Sequence, residues 1–138
     1  MDTACLEYCL TEEERHQFEE DGYLIVRDVL PADLVARWRG RILNIHPALL
    51  PKFGGKGLFG MAVHRAVLAA GEEVTGVTVH LADERFDHGP IVAQCQVSVV
   101  EGDTVETLMD RVQKRERLLW VETLQSIVRR ELNLDAIG

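Results

Sequence analysis

Residues 41–53 read RILNIHPALLPKF, and the rest of the predicted fold is built around this stretch. The residues before Asn44 are β-prone, which predicts a strand that runs into it. Pro47 and Pro51 then end any regular element. Because side chains two apart on a strand share a face, Asn44 and His46 point the same way where the strand ends. In open α/β sheets, ligands bind at that end of a strand.

The side chains of Asn44 and His46 suggest a specific chemistry. An amide donates hydrogen bonds, and an imidazole exchanges protons near neutral pH. Together they suit a reaction in which an oxyanion develops while a proton moves. The alternative is a polar strand end closed by a turn, and these two residues on their own favour that alternative.

The composition is that of one modest globular domain. The chain has 138 residues, of which 46% are hydrophobic and 28% are charged. The net charge of −8 argues against a nucleic-acid partner, since phosphate backbones bind basic surfaces. We also expect no membrane partner, because no apolar run is long enough to span a bilayer.

The cysteines and the first residues bear on location. Cys5, Cys9 and Cys95 are an odd set without the spacing of zinc ligands. Residues 1–4 do not read as the start of a secretory signal. Reduced thiols and a cytoplasmic location are the simplest interpretation.

Hydrophobic periodicity and turn residues predict helices and strands along the whole chain. Strands are expected at 23–27, 41–45, 75–81 and 91–100, and helices at 11–20, from 31 onward, at 62–70 and from 104 to about 132. No proline interrupts the last helix, so we expect one long rod. Its predicted buried stripe consists of Leu108, Val112, Leu119, Leu124, Ile127 and Val128.

Several spaced motifs follow the first stretch in a fixed order. They are NIHPALLPK at 44–52, GGKG at 54–57, His64, GVTVH at 76–80, DHGPI at 87–91 and GDT at 102–104. With these motifs, residues 40–130 or so resemble the folate-dependent formyltransferases, most of all the purine-pathway members. The formyltransferases that act on methionyl-tRNA are less similar, because the loop after Pro51 is rich in glycine and lysine and His80 sits in the following strand.

The resemblance implies an α/β fold: a partial, Rossmann-like formyltransferase sheet flanked by helices, with a long C-terminal helix. We expect this sheet to be small and mainly parallel. In the family, roughly the first hundred residues form a Rossmann-like half with a glycine-rich turn for the substrate phosphate, and we find no counterpart of it. We expect two parts: a helix–strand–helix head at 1–39 and a formyltransferase-like part at 40–138. A natural fusion, a truncated gene and an artificially joined sequence all fit this division.

The head carries a second resemblance. Residues 10–38 are similar to the N-terminal segment of the phytanoyl-CoA dioxygenase-like oxygenases, through LTEE at 10–13, Phe18, DGYLIV at 21–26 and Val29-Leu30. Those enzymes bind Fe(II) through a His-x-Asp pair and a later histidine, and this chain has no His-x-Asp. We therefore expect neither oxygenase activity nor a metal site.

The formyltransferase resemblance also implies catalytic roles. Asn44 would donate a hydrogen bond to the developing oxyanion. His46, as imidazolium, would stabilise the tetrahedral intermediate and pass a proton. Asp87 would orient His46 and hold it charged. Where the family often has a His-x-His pair, this chain has Ala62 and His64, so the positioning by the first histidine is missing.

The remaining predicted site residues concern the folate. Thr78 and His80 share a strand face and would support the site from the side of the folate and the formyl group. The alternative for this face is the solvent side of an edge strand. The loop around Asp83, Glu84 and Arg85 would hold the pterin.

The function implied by the resemblance is formyl transfer. The cosubstrate would be 10-formyltetrahydrofolate, and the acceptor would be the amine of glycinamide ribonucleotide. The alternative is an inactive truncated or fused chain that acts at most as a folate-binding module. We also expect self-association, because a partial doubly wound fold leaves a strand edge and an apolar face uncovered.

Overall fold

The computed structural model describes residues 11–13, 15–16 and 33–137, and the described chain divides into two units after Leu34. In the first unit, residues 12–13 and 15–16 are helical, and the Arg15 N–H donates to the Thr11 carbonyl at 3.0 Å. The predicted strand at 23–27 and the rest of the predicted helix at 11–20, including Glu14, lie outside the described residues.

The elements that matter for the site begin at Leu34, the last residue of the first unit. They are α1 (Leu34–Arg37), β1 (Leu43–His46), α2 (Met61–Ala69), β2 (Val74–Leu81), β3 (Ile91–Ser98), α3 (Val105–Val128) and a short 3₁₀ helix (Leu134–Ala136). The predictions for the four segments from 41 to 100 are confirmed to within a few residues. The predicted rod is confirmed as an unbroken helix of 24 residues that ends a turn earlier than expected.

The three strands form one sheet in the order β1-β2-β3. Both pairs are antiparallel, so the expected mainly parallel sheet is wrong for the described strands, although the α/β class is confirmed. A parallel pair needs a crossover, whereas β2 and β3 are joined by the loop 82–90 alone. The register places Asn44 opposite His80 and His46 opposite Thr78.

The two faces of β2 are covered in different ways. Val77 and Val79 point into the apolar core, which also takes Val67 of α2, Val97 of β3 and three α3 residues, Leu108, Val112 and Leu119. The opposite face, which carries Gly76, Thr78 and His80, meets the turns that follow β1. A glycine is required at 76, since a Cβ there would lie 2.1 Å from the Cys95 carbonyl oxygen.

The predicted buried stripe of α3 is correct only in part. Leu108, Val112 and Leu119 are buried, but Leu124 is exposed and Val128 is 81% exposed. A helix of this length is about 36 Å long, whereas an eight-residue strand spans about 26 Å. The last turns of α3 therefore extend past the strands it covers.

The start of α3 is fastened by a polar network. Thr104 caps the helix in a capping box with Thr107. The nearly buried Asp103 carboxylate accepts from both terminal nitrogens of Arg111, at 2.6 and 2.7 Å, and from the Val100 N–H. The Arg111 guanidinium holds the pKa of Asp103 well below its usual range.

Two further features concern the residues that the structure describes. None of their helices combines the length and the apolar character that crossing a bilayer requires. They also contain no group of three His, Cys, Asp or Glu side chains arranged to hold a metal ion.

Candidate active site

The pairing of β1 with β2 brings Asn44 and His80 side by side. Asn44 Nδ2 lies 3.0 Å from His80 Nε2, and His80 Nδ1 lies 2.9 Å from the Leu81 carbonyl oxygen. Asn44 is exposed, whereas His80 is only 2% exposed. Because β2 is the central strand of the described sheet, the alternative of a solvent-facing edge strand is wrong.

His46 ends β1 and is almost completely enclosed. Its side chain packs below the turn that follows Pro51, and the residue is 3% exposed. Nε2 donates to the Phe53 carbonyl at 2.8 Å, and Nδ1 lies 3.5 Å from Asp87 Oδ2. Phe53 reaches this position in the left-handed region, with φ 57°, which is uncommon for a residue other than glycine.

Asp87 connects the two histidines. Its Oδ2 accepts from the Gly55 N–H at 3.0 Å and faces His46, while Oδ1 lies 3.7 Å from His80 Nε2. Asp87 adopts φ 54°, a left-handed conformation that aspartate tolerates better than most residues. Gly54 permits the close approach of the two loops, because a Cβ there would lie 3.1 Å from the Asp87 Cβ. One carboxylate thus faces two imidazoles in a mostly enclosed site.

A third histidine lies behind this arrangement. His64 of α2 is buried, and its Nδ1 has no hydrogen-bond partner among the described residues. Burial lowers the pKa of His64, and the neighbouring His46 lowers it further. His64 is therefore a neutral ring at neutral pH.

Thr78 is turned toward the loop rather than toward open space. Its buried hydroxyl donates to the Ala48 carbonyl at 2.7 Å and accepts from the Leu50 N–H at 3.1 Å. Gln94 of β3 donates to the same hydroxyl at 2.8 Å and to the Leu50 carbonyl at 3.1 Å. These bonds hold residues 48–50 against β2, and the role of Thr78 in folate binding stays a prediction.

Two cavities meet at Asn44, Phe86 and Asp87. The first has a volume of about 280 Å³ and is lined by Asn44, His80 and residues 82–87. The second has a volume of about 520 Å³ and is lined by residues 44–47 and 55–60 together with Phe86 and Asp87. The predicted pterin residues Asp83, Glu84 and Arg85 therefore all line the first cavity.

The loop 82–90 is shaped by its own polar contacts. Asp83 accepts from the Arg85 N–H at 2.8 Å and lies 2.9 Å from Nδ1 of the exposed His88. The hydrogen bond with His88 is the larger cause and the bond from the Arg85 N–H is the second, and both lower the pKa of Asp83. Glu84 forms an ion pair with Arg39 on the surface. The predicted pterin loop is thus an ordered turn.

Sequence reasoning missed three parts of this site. The Phe53 carbonyl and the Gly55 N–H bind His46 and Asp87 through the backbone, so side-chain chemistry could not indicate them. The glycine pair after Phe53 was the available signal, since adjacent glycines mark a close approach. Phe86, a large exposed side chain in a polar loop, lines both cavities and was also not singled out.

Comparison with known proteins reaches across most of the chain. The sequence profile of the formyl transferase family matches residues 23–124. The match bears out the predicted formyltransferase resemblance and begins inside the predicted head. The oxygenase resemblance of residues 10–38 and the boundary after residue 39 both stay predictions.

The similar proteins carry related names. A chloroplastic phosphoribosylglycinamide formyltransferase of Arabidopsis thaliana is 49% identical over 106 residues, which are 77% of this chain and 35% of that protein. A phosphoribosylglycinamide formyltransferase of Mycobacterium tuberculosis is 46% identical over 99 residues, 72% of this chain and 44% of that protein. The crystal structure of the Bacillus halodurans phosphoribosylglycinamide formyltransferase aligns with this chain at a TM-score of 0.64 and 36% sequence identity. The alignment covers 88% of this chain and 63% of the Bacillus halodurans chain. The chain thus spans less than half the length of these two curated relatives.

Proposed function

Because the chain belongs to the formyl transferase family, we propose that it transfers a formyl group from 10-formyltetrahydrofolate to the amine of glycinamide ribonucleotide. The observation that carries the proposal is the placement of Asn44, His46 and Asp87 around the junction of two cavities. The acceptor is suggested by the names of the similar proteins.

The two cavities suit a reaction of two substrates. The smaller cavity, with Asp83, Glu84 and Arg85 at its wall, offers hydrogen-bonding groups for a pterin ring. The larger cavity, lined by the loop 55–60, would receive the amine substrate. Both substrates would then meet beside Asn44 and Asp87, as group transfer requires.

Asn44 would stabilise the charge that develops on the formyl oxygen. The amine nitrogen attacks the formyl carbon, and the electron pair of the broken C=O π bond moves onto oxygen. An amide N–H at the cavity junction donates to that oxyanion without itself giving up a proton. The tetrahedral intermediate collapses when the bond between the formyl carbon and N10 breaks. The attacking nitrogen loses a proton, and the departing folate N10 takes one up on the electron pair of the broken bond.

His46 and Asp87 act on that proton. The Asp87 carboxylate at 3.5 Å opposes the positive charge that His46 takes on when it accepts a proton. Both ring nitrogens of His46 face protein acceptors, so the ring reaches a substrate only after the Phe53 carbonyl leaves Nε2. Glycines at 54, 55, 57 and 60 give the loop the backbone freedom for that movement.

A folate-binding module without transfer activity is the second candidate. The enclosed position of His46 favours it, because a ring that cannot reach a substrate cannot move its proton. Self-association and a cytoplasmic location also stay predictions, and the Arabidopsis thaliana relative carries a chloroplastic name.

Calorimetric titration and single-turnover transfer together test both candidates. Purified protein is titrated with a stable folate analogue and, separately, with glycinamide ribonucleotide. We expect the analogue to bind, and formyl transfer to follow when both true substrates are supplied. Folate binding without transfer would support the module, and ribonucleotide binding without any folate binding would overturn both candidates.

A further inference from the structure

We propose that His80 is a positioning residue that fixes the orientation of the Asn44 side-chain amide, and thereby aims an amide N–H at the junction of the two cavities. This inference rests on the proposed formyl transfer and deepens it. The geometry that carries it is a chain of two hydrogen bonds, from Asn44 through His80 to the Leu81 carbonyl.

The Leu81 carbonyl determines which nitrogen of His80 carries the hydrogen. It lies 2.9 Å from Nδ1, and because a carbonyl only accepts, Nδ1 must donate. The carbonyl is held in place: Leu81 pairs with Leu43, and its N–H donates to Pro90 at 2.9 Å. Gly89 packs so closely that a Cβ there would lie 1.8 Å from this oxygen. A ring that carries its single hydrogen on Nδ1 presents the lone pair of Nε2 on its other side.

That lone pair selects one of the two orientations of the Asn44 amide. Nε2 lies 3.0 Å from the Asn44 side chain and can accept a hydrogen bond only from its nitrogen. Asn44 is exposed and lines both cavities, so its second amide N–H is available to a ligand at the junction. A site that aims a donor before the oxyanion forms needs no reorganisation during the reaction.

A second proton on His80 would reverse this arrangement. Nε2 would become a donor, and the amide would rotate to present its oxygen, which moves its nitrogen by roughly 2 Å. Asp87 Oδ1 lies 3.7 Å from Nε2, so a ring with a hydrogen on both nitrogens would donate toward the carboxylate and the amide and would accept from neither.

Rates of His80→Phe and His80→Gln, each with and without Asn44→Ala, test the proposal. Phenylalanine fills the space without an acceptor, so we expect a loss of about 100-fold in kcat with little change in KM. In that background Asn44→Ala should cost little more, because the amide is already misdirected. Glutamine supplies an acceptor for the amide, so it should restore most of kcat. Leu118→Ala, at an exposed helix residue that lines neither cavity, is the control and should keep the wild-type rates.

A readout independent of activity separates this inference from the proposed function. Long-range ¹H–¹⁵N spectra of the wild type should show His80 as the Nδ1–H tautomer, and the Asn44 side-chain amide signals should shift in His80→Phe. If no variant transfers formyl groups, the proposed function fails while the spectra still decide the amide orientation. The inference is overturned if His80 is the Nε2–H tautomer, or if Asn44→Ala costs the same factor in wild type and in His80→Phe.

Discussion

The two faces of β2 are built on different principles. On the α3 side, Val77 and Val79 meet apolar helix residues, and the helix start is closed by Thr104 and Asp103. On the loop side, polar side chains, backbone groups and two residues in left-handed conformations are held together. Of the described non-glycine residues in left-handed conformations, Phe53 and Asp87 lie at the cleft and Arg130 lies just past the end of α3. We therefore expect the loop side to carry the chemistry and the α3 side to carry the stability.

The largest expected effect lies on the loop side, at His46 and Asp87. His46→Ala and Asp87→Asn should each lower the single-turnover rate of formyl transfer by about 100- to 1,000-fold, because each removes one of the groups proposed to stabilise the transition state. The double variant should lose far less than the product of the two, since the pair acts as a unit. Wild-type rates for His46→Ala would remove the assignment of the active site, and fully multiplicative losses would contradict the coupling.

The next effect lies on the α3 side and concerns stability alone. Leu108→Ala should lower the free energy of unfolding by about 2 to 5 kcal/mol, because Leu108 is fully buried and leaves a cavity. Leu118→Ala, on the same helix but 57% exposed, is the matched control and should change it by less than about 0.5 kcal/mol. Urea denaturation measures both. Equal losses would show that α3 is not packed on the sheet in the described orientation.

Thr78→Val tests the loop side further, because it removes hydrogen bonds that hold residues 48–50 against β2. The variant keeps the shape of the side chain but leaves the Ala48 carbonyl and the Leu50 N–H without their hydroxyl partner. We expect a loss of about 1 to 3 kcal/mol in the free energy of unfolding, together with slower formyl transfer. Thr104→Ala, which removes the cap of α3, should cost about 1 kcal/mol and leave the transfer rate unaltered. A rate loss in Thr104→Ala that matches Thr78→Val would break the separation of the two faces.

The smallest effect is a pH dependence of stability on the loop side. The folded-state pKa of His64 is depressed below the ordinary value of 6.5 by burial and by His46. The unfolded chain therefore binds this proton more readily, and the free energy of unfolding should fall as the pH drops below about 6.5. His64→Leu should make this decline shallower, whereas His88→Gln at the exposed site should not. Parallel slopes in wild type and His64→Leu between pH 5 and 7 would contradict the expectation.

The sequence by itself determined the local features. The spacing of Asn44 and His46, the alternation in 75–81 and the proline-free pattern of α3 reflect backbone periodicity and excluded volume, which act between near neighbours. The order of the spaced motifs also indicated the family, because several such motifs rarely occur together in one order by chance. The same local rules misplaced Leu124 and Val128, since helical periodicity defines a stripe but not how far the covering sheet extends.

Only the tertiary structure decided how these pieces meet. The antiparallel order of β1, β2 and β3 depends on long-range pairing, which no local pattern encodes. The same pairing sets Asn44 against His80. The turn at Phe53 and the separate turn at Asp87 bring one carboxylate close to two imidazoles. These contacts join residues that lie far apart in the chain, and several run through backbone carbonyls and amides that every residue possesses. The physical reason is that every residue has the same backbone donor and acceptor, so the type of a side chain does not indicate which backbone group it will contact in the folded chain.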